Sequence, residues 1–316
     1  MRPFDPLIAN PHLATIASNF WPRFKQLETV PALEHRFSTE PGVSIRVVEQ
    51  RPSQPSKGAF VLVHGLEGSS EGGYMQSMAW NVLQAGYTVH RVNIRGCGGT
   101  EGWCQTLYHA GLTSDLRAYL ESIRGQGPIT LVGYSLGGNV SLKLAGESGT
   151  GLLHSVAAVS TPLDLAACVE ALGKPSNYLY QQRFVSRMRD RLAERRRLQP
   201  KAFTPIFAHT DVDAIRTVFE FDDRITAPHF GFGDARNYYK TQSSQNFLAS
   251  IGVPALLLTA QDDPLVPYAV YGHPAIKENP WIQLLAPKHG GHVAFLARRA
   301  PRFWADEAIL EWRAQI

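Results

Sequence analysis

The segment PITLVGY (Pro128–Tyr134) runs without a break into SLGGNVSLKLAGE (Ser135–Glu147). The first half is a short apolar, β-branched run of the kind that forms a buried strand, and the second has helical periodicity. Between them lies Gly133-Tyr134-Ser135-Leu136-Gly137. A strand that reverses this sharply into a helix holds its middle residue in strained φ/ψ, so the residues two away on either side must lack bulk. The reading is a strand–turn–helix elbow with the Ser135 hydroxyl standing at the C-terminal edge of a sheet. The helix N-terminus beneath it favours negative charge.

The same alternation recurs outward from this point. Ala59–Val63 leads to a helical Tyr74–Ala85. Tyr87–Asn93 leads, through a glycine-rich loop, to a helical Thr113–Arg124. Val156–Ser160, Pro254–Thr259 and Trp281–Leu285 complete the apolar runs, and Pro301–Ala314 reads as a last helix. Strands buried on both faces and separated by helices make a mostly parallel sheet with right-handed crossovers. Upstream, Leu33–Thr39 and Ser44–Gln50 flank Pro41-Gly42 and read as an antiparallel hairpin. The alternation stops between residues 161 and 246, where helical patterns (Ala166–Leu172, Asn177–Leu198) dominate. The chain therefore divides into a first core segment, 1–160, a helical cap insertion, 161–246, and a second core segment, 247–316. The insertion is expected to lack apolar surface for a core of its own.

Composition narrows the function classes. The chain has 316 residues, 44% hydrophobic and 18% charged, with a net charge of +4. Disorder needs far lower hydrophobicity. No apolar run approaches the ~18 residues of a membrane span, and Pro3, Pro6 and Pro11 interrupt the stretch where a secretion signal would lie. Cys97, Cys104 and Cys168 make no disulfide framework and no zinc spacing, so the expectation is a cytoplasmic protein with reduced thiols. The positive charge is local. Arg183–Lys201 holds eight basic and two acidic residues, which leaves the rest at −2. With only Phe184 among them these residues do not read as a nucleic-acid surface, and a solvated helix face is expected. The helix Gln181–Leu198 also lacks the large apolar face that membrane-surface binding requires, so at most weak surface association is expected.

A serine hydroxyl becomes a nucleophile only beside a base that is itself oriented by an acid. On an elbow of this kind the chain order is Ser, then Asp or Glu, then His. Asp262-Asp263 follows one strand and Lys288-His289-Gly290-Gly291-His292 follows the next. Pro264 fixes the turn after Asp263, and the apolar Val293–Leu296 anchors His292, so these two are favoured over Asp262 and His289. A metal site built from these four residues is a poor fit, because the histidines are not on a helix and no further ligand cluster is visible. His64-Gly65-Leu66-Glu67-Gly68 follows Ala59–Val63 and supplies a close-approaching loop; with the amide after the serine, the Leu66 and Leu136 N–H groups are the candidate oxyanion donors. His64 reads as a structural hydrogen-bonder. In Asn93–Thr100, Arg95 is expected to tie the loop to neighbouring carbonyls, and Cys97 to be inert. Phe184, Met188, Tyr178 and Tyr180 are candidate pocket-lining residues of the insertion.

Taken together these motifs resemble the α/β-hydrolase superfamily, and within it the YheT-like branch of esterases. The likeness covers nearly the whole chain: Phe4-Asp5-Pro6 with Asn10–Thr15, the loop Asn93–Gly99, Tyr108–Gly111 with Asp115, and above all Phe221–Pro228, Gly231-Phe232 and Tyr238-Tyr239. The resemblance implies a Ser135–Asp263–His292 relay without a cofactor. It implies hydrolysis of a small-molecule carboxylic ester, medium-chain or lipid-like in its acyl part. One departure is Ala260, where many members carry Gly. The same machinery would serve an acyltransferase or a thioesterase, and the fold could also carry a non-catalytic binding protein. A basic insertion favours an anionic substrate among these, with Arg195–Arg197 as the expected contacts.

Overall fold

The computed structural model describes residues 2–21 and 25–316. Its strands are β1 (Ala32–Glu40), β2 (Val43–Gln50), β3 (Ala59–Val63), β4 (Thr88–Asn93), β5 (Ile129–Tyr134), β6 (Ser155–Val159), β7 (Ala255–Leu258) and β8 (Ile282–Leu285). They form one sheet in the order β1-β2-β4-β3-β5-β6-β7-β8. The β1–β2 hairpin joins antiparallel to β4, and every later pairing is parallel. The central strands are buried at every position, which is why they read as continuous apolar runs without alternation.

Helices α1 (Pro11–Phe20), α2 (Gly73–Gln84), α3 (Ser114–Ser122) and α4 (Leu136–Ser148) precede an excursion between β6 and β7. The excursion comprises α5 (Leu165–Leu172), α6 (Tyr178–Leu198), α7 (Pro200–His209), α8 (Val218–Phe221), a π turn at Asp222–Thr226, α9 (Ala227–His229) and α10 (Ala235–Gln242). After it come α11 (Pro274–Glu278) and α12 (Trp304–Arg313). Two buried clusters lie on the two faces of the sheet, one under α3 and α4, the other under α2 and α12. A third gathers Leu172, Val185, Met188, Leu192, Phe203, Ile215 and Phe221 of the excursion around Leu107 and Leu265. The segment thus buries more apolar surface than expected, in a cluster that it shares with Leu107 and Leu265 of the core segments. Its apolar residues are spread thinly along the chain and converge only when the short helices fold over α6.

The expected solvated basic face holds for Arg183, Arg187, Arg196, Arg197 and Lys201, which are exposed, but not for Arg195 or for the ion-paired Arg191. Arg195 is buried, donating to Thr106 O at 2.8 Å and Arg95 O at 3.1 Å. It fits because Gly96, at φ +66°, has no Cβ; one built there would collide with the guanidinium at 1.8 Å. Arg191 donates to Glu67 at 2.5 Å, Glu101 at 2.7 Å and Gly96 O at 2.9 Å. Of the run Arg195–Arg197, only Arg196 and Arg197 are exposed; the first stacks on Phe207 and the second pairs with Glu194. Arg95 also differs from expectation. Its partners are carboxylates, Asp115 in a bidentate pair at 2.6 and 2.7 Å and Glu40 at 2.7 Å, because a buried guanidinium needs a counter-charge as well as acceptors.

Candidate active site

Parallel strands bring their C-terminal ends to one edge, and chemistry on such sheets collects there. Ser135 leaves β5, the Asp262-Asp263 turn follows β7, and the loop to His292 follows β8. Ser135 sits at φ 53°, ψ −120°, a conformation that costs a non-glycine residue of order 1–3 kcal/mol. The two flanking glycines are sterically required. A Cβ at Gly133 would lie 2.3 Å from Gly137 O, and one at Gly137 would lie 2.4 Å from His64 O.

His292 Nε2 lies 3.0 Å from Ser135 Oγ, and its Nδ1 lies 2.9 and 3.1 Å from the two Asp263 oxygens. Asp263 carries no exposed side-chain surface, and its Oδ1 also accepts from the Leu265 and Val266 amides at 2.9 and 3.1 Å. Nδ1–H thus donates to the carboxylate and leaves the Nε2 lone pair facing the serine hydroxyl. Asp262 points elsewhere. It accepts from the Gly291 amide at 3.0 Å and pairs with His289 at 3.1 Å, pinning the loop from outside.

Two further anchors set the imidazole, and the sequence reading did not single them out. The His292 amide donates to Thr15 Oγ1 at 2.9 Å, and the Val293 amide donates to Ser160 Oγ at 3.0 Å. Thr15 lies on α1, which starts at the Asn10–Pro11 pair; Asn10 caps it by accepting from the Leu13 amide. Asn-cap followed by Pro at the first helical position was a readable signal for the helix. Its partner nearly 280 residues away was not readable.

The loop after β3 presses on the serine from the other side, where a Cβ at Gly65 would lie 3.1 Å from Ser135 Cβ. His64 is buried and holds this loop. Its Nδ1–H donates to Gly65 O at 2.7 Å and its Nε2 accepts the Ile94 amide at 3.1 Å. Burial pushes its pKa down to about 4, so it stays neutral. Glu67, at φ 56°, accepts from the Tyr108 hydroxyl at 2.7 Å as well as from Arg191. The Leu66 and Leu136 residues border the same space as Ser135 and His292. Leu136 is the first residue of α4, so its N–H has no acceptor within the helix. Burial raises the Cys97 thiol to about 12, and burial with nearby Asp263 holds Cys168 well above the ordinary thiol range.

Ser135 stands between two spaces. One is a cavity of about 140 Å³ whose lining includes Leu165, Leu172, Phe184, Met188, Val218 and Phe221. Its polar end holds Asp222, which accepts from the Tyr239 hydroxyl at 2.8 Å and is raised to about 6 by burial. The other is a wider groove of about 770 Å³ between α1 and α6, more polar than the first but of mixed lining. Phe184 lines both spaces, Met188 the first and Tyr180 the second. Tyr178, expected beside them, lines neither and is exposed, because it begins α6 on the outer side.

Residues 58–298 match the family model described as the alpha/beta hydrolase fold. The chain belongs to the α/β-hydrolase family. This α/β-hydrolase is 30% identical over 270 residues to "Putative esterase YheT" of Escherichia coli, covering 83% of this chain and 78% of that protein, and it falls in the YheT-like branch. It is 29% identical over 266 residues to a monoacylglycerol lipase of Saccharomyces cerevisiae, covering 81% of this chain but only 59% of the yeast protein. Among solved structures, the α/β-hydrolase resembles the Pyrococcus furiosus esterase Pf2001 with a TM-score of 0.61. That match covers 93% of this chain and 98% of the other at 16% identity, a likeness of fold.

Proposed function

We propose that the chain is a serine carboxylic ester hydrolase acting through an acyl-enzyme. His292 takes the Ser135 proton as Oγ attacks the ester carbonyl, and Asp263 keeps the imidazole in the productive tautomer and balances the imidazolium. The Leu66 and Leu136 amides hold the oxyanion, each contributing about 3–4 kcal/mol to lowering the barrier. The alcohol leaves with the proton from His292. Water then attacks the acyl group by the reverse proton transfers. The single observation that carries the reading is the 3.0 Å approach of His292 Nε2 to Ser135 Oγ with Asp263 2.9 Å behind the ring.

The two spaces beside Ser135 support the assignment of the substrate's halves. The narrow apolar cavity suits an acyl chain, and the wider groove of mixed lining suits the alcohol portion and its exit. The helical segment 161–246 then acts as the cap that closes the acyl side. The names of the relatives, an esterase and a monoacylglycerol lipase, support an acyl ester as the substrate class. The test is turnover of a nitrophenyl butyrate. Ser135→Ala is expected to lower the rate by at least a thousandfold, and an unchanged rate would overturn the assignment.

A further inference from the structure

Helix α1 turns its side chains the wrong way round for a helix packed on a core. Its buried positions are Ala14, Thr15 and Ser18, small or hydroxyl-bearing. Its large apolar side chains, Leu13, Ile16 and Phe20, stand in water at spacings of three and four, with Leu13 59% and Phe20 77% exposed. An ordinary surface helix does the reverse. The first turn of α6 lies against α1, His12 stacking on Tyr180 at 5.8 Å, and it too exposes Tyr178 (61%) and Leu179 (74%). Five of the eleven exposed large hydrophobic side chains among the described residues thus gather on two neighbouring helix segments. A concentration of that kind marks an interaction surface, whereas scattered single residues would not.

The charge beside this patch says what covers it. Arg183 and Arg187 follow on α6, one and two turns further along, and line the groove that Ile16 and Phe20 border and that leads to Ser135. Among the described residues neither has a carboxylate at ion-pair distance. Of the acids along the same groove, Glu67 and Glu101 are engaged with Arg191, Glu194 with Arg197 and Glu71 with Arg91, while Asp190 accepts from Ser186. Burial and then the Arg183 guanidinium lower the Arg187 pKa; the Glu67 carboxylate opposes them and Arg191 adds to them. Apolar side chains that can enter an acyl layer, rimmed by unpaired arginines, are what an anionic lipid surface recognises. The α6 segment alone lacks the apolar part, and α1 supplies it.

We infer that α1 and the first turns of α6 form a docking face for an anionic lipid surface, seated at the mouth of the groove that reaches Ser135. The inference stands apart from the proposed chemistry, so the two are tested separately. The full-length Ser135→Ala protein, which leaves ester lipids intact, is sedimented with vesicles of phosphatidylcholine alone and of phosphatidylcholine with about one-third phosphatidylglycerol. The expected result is at least tenfold stronger partitioning to the anionic vesicles, weakening as salt rises. In that background Leu13→Glu with Leu179→Glu should cut partitioning at least tenfold. The same pair in the wild type should leave soluble nitrophenyl butyrate turnover unchanged, since neither residue lines the cavity or the groove. Arg183→Gln with Arg187→Gln should remove the preference for anionic vesicles. Partitioning unaffected by Leu13→Glu with Leu179→Glu, equal binding to both vesicles, or a dimer in solution abolished by that pair would each overturn the inference. The last outcome would assign the patch to a second copy of the chain.

Discussion

Asp262 and Asp263 are neighbours with opposite tasks. Asp263 is sealed behind the imidazole and fixed by two backbone amides, whereas Asp262 braces the loop from its outer side. Asp263→Asn is expected to lower kcat by about three to four orders of magnitude, because the amide presents N–H where the imidazole needs an acceptor. Asp262→Asn should cost less than tenfold, and parallel kcat measurements would distinguish them. His64 gives a stability signature of its own. Its folded pKa of about 4 lies below the usual 6.5, so its contribution is present above pH 6.5 and is lost as pH falls towards 4. Relative to His64→Gln, the wild type should lose up to about 3 kcal/mol over that window by chemical denaturation. Taking the difference between the two proteins cancels the opposite slope from Asp222, whose raised carboxyl favours the folded state at low pH.

At the scale of elements, α6 and the loop after β3 are joined by a buried ion pair. The Glu67 carboxylate has 3% of its side chain exposed and the Arg191 guanidinium 17%. Arg191→Met would leave Glu67 buried and unpaired, and should destabilise the fold by about 3–5 kcal/mol, with much of that recovered in Arg191→Met/Glu67→Met. Because Glu67 adjoins Leu66, the single variant should also lower kcat while KM stays within twofold, a split that steady-state kinetics would reveal. The cavity gives an independent prediction. Met188→Trp should reduce turnover of octanoate esters at least tenfold relative to acetate esters, whereas equal loss on both would remove Met188 from the acyl side.

These elements also mark what the sequence could tell. The parallel strands were legible to within one residue, because burial on both faces writes them as apolar β-branched runs. The fates of Arg191 and Arg195 were not legible. Helical periodicity cannot say that a guanidinium will fold back over a glycine 99 residues earlier. The inverted pattern of α1 misleads for a related reason, since its large apolar residues face away from the fold.

Across the whole molecule, the sheet edge unites groups from three distant stretches of chain, and the topology alone explains why. Each of β5, β7 and β8 delivers one residue at its C-terminal end, and parallel pairing puts those ends together. The order Ser, Asp, His and the elbow glycines were readable from the chain, and Asp263, favoured through its Pro264 turn, is the neighbour that lies beside His292. The contributions of Thr15 and Ser160 depend on tertiary approach and leave no local trace. The account turns on Ser135 being chemically activated by His292, and fluorophosphonate labelling followed by peptide mass spectrometry measures that directly. A single adduct on Ser135, formed at least a hundredfold more slowly in a folded His292→Ala variant, is the predicted result. No adduct on Ser135, or labelling at the same rate without His292, would contradict it.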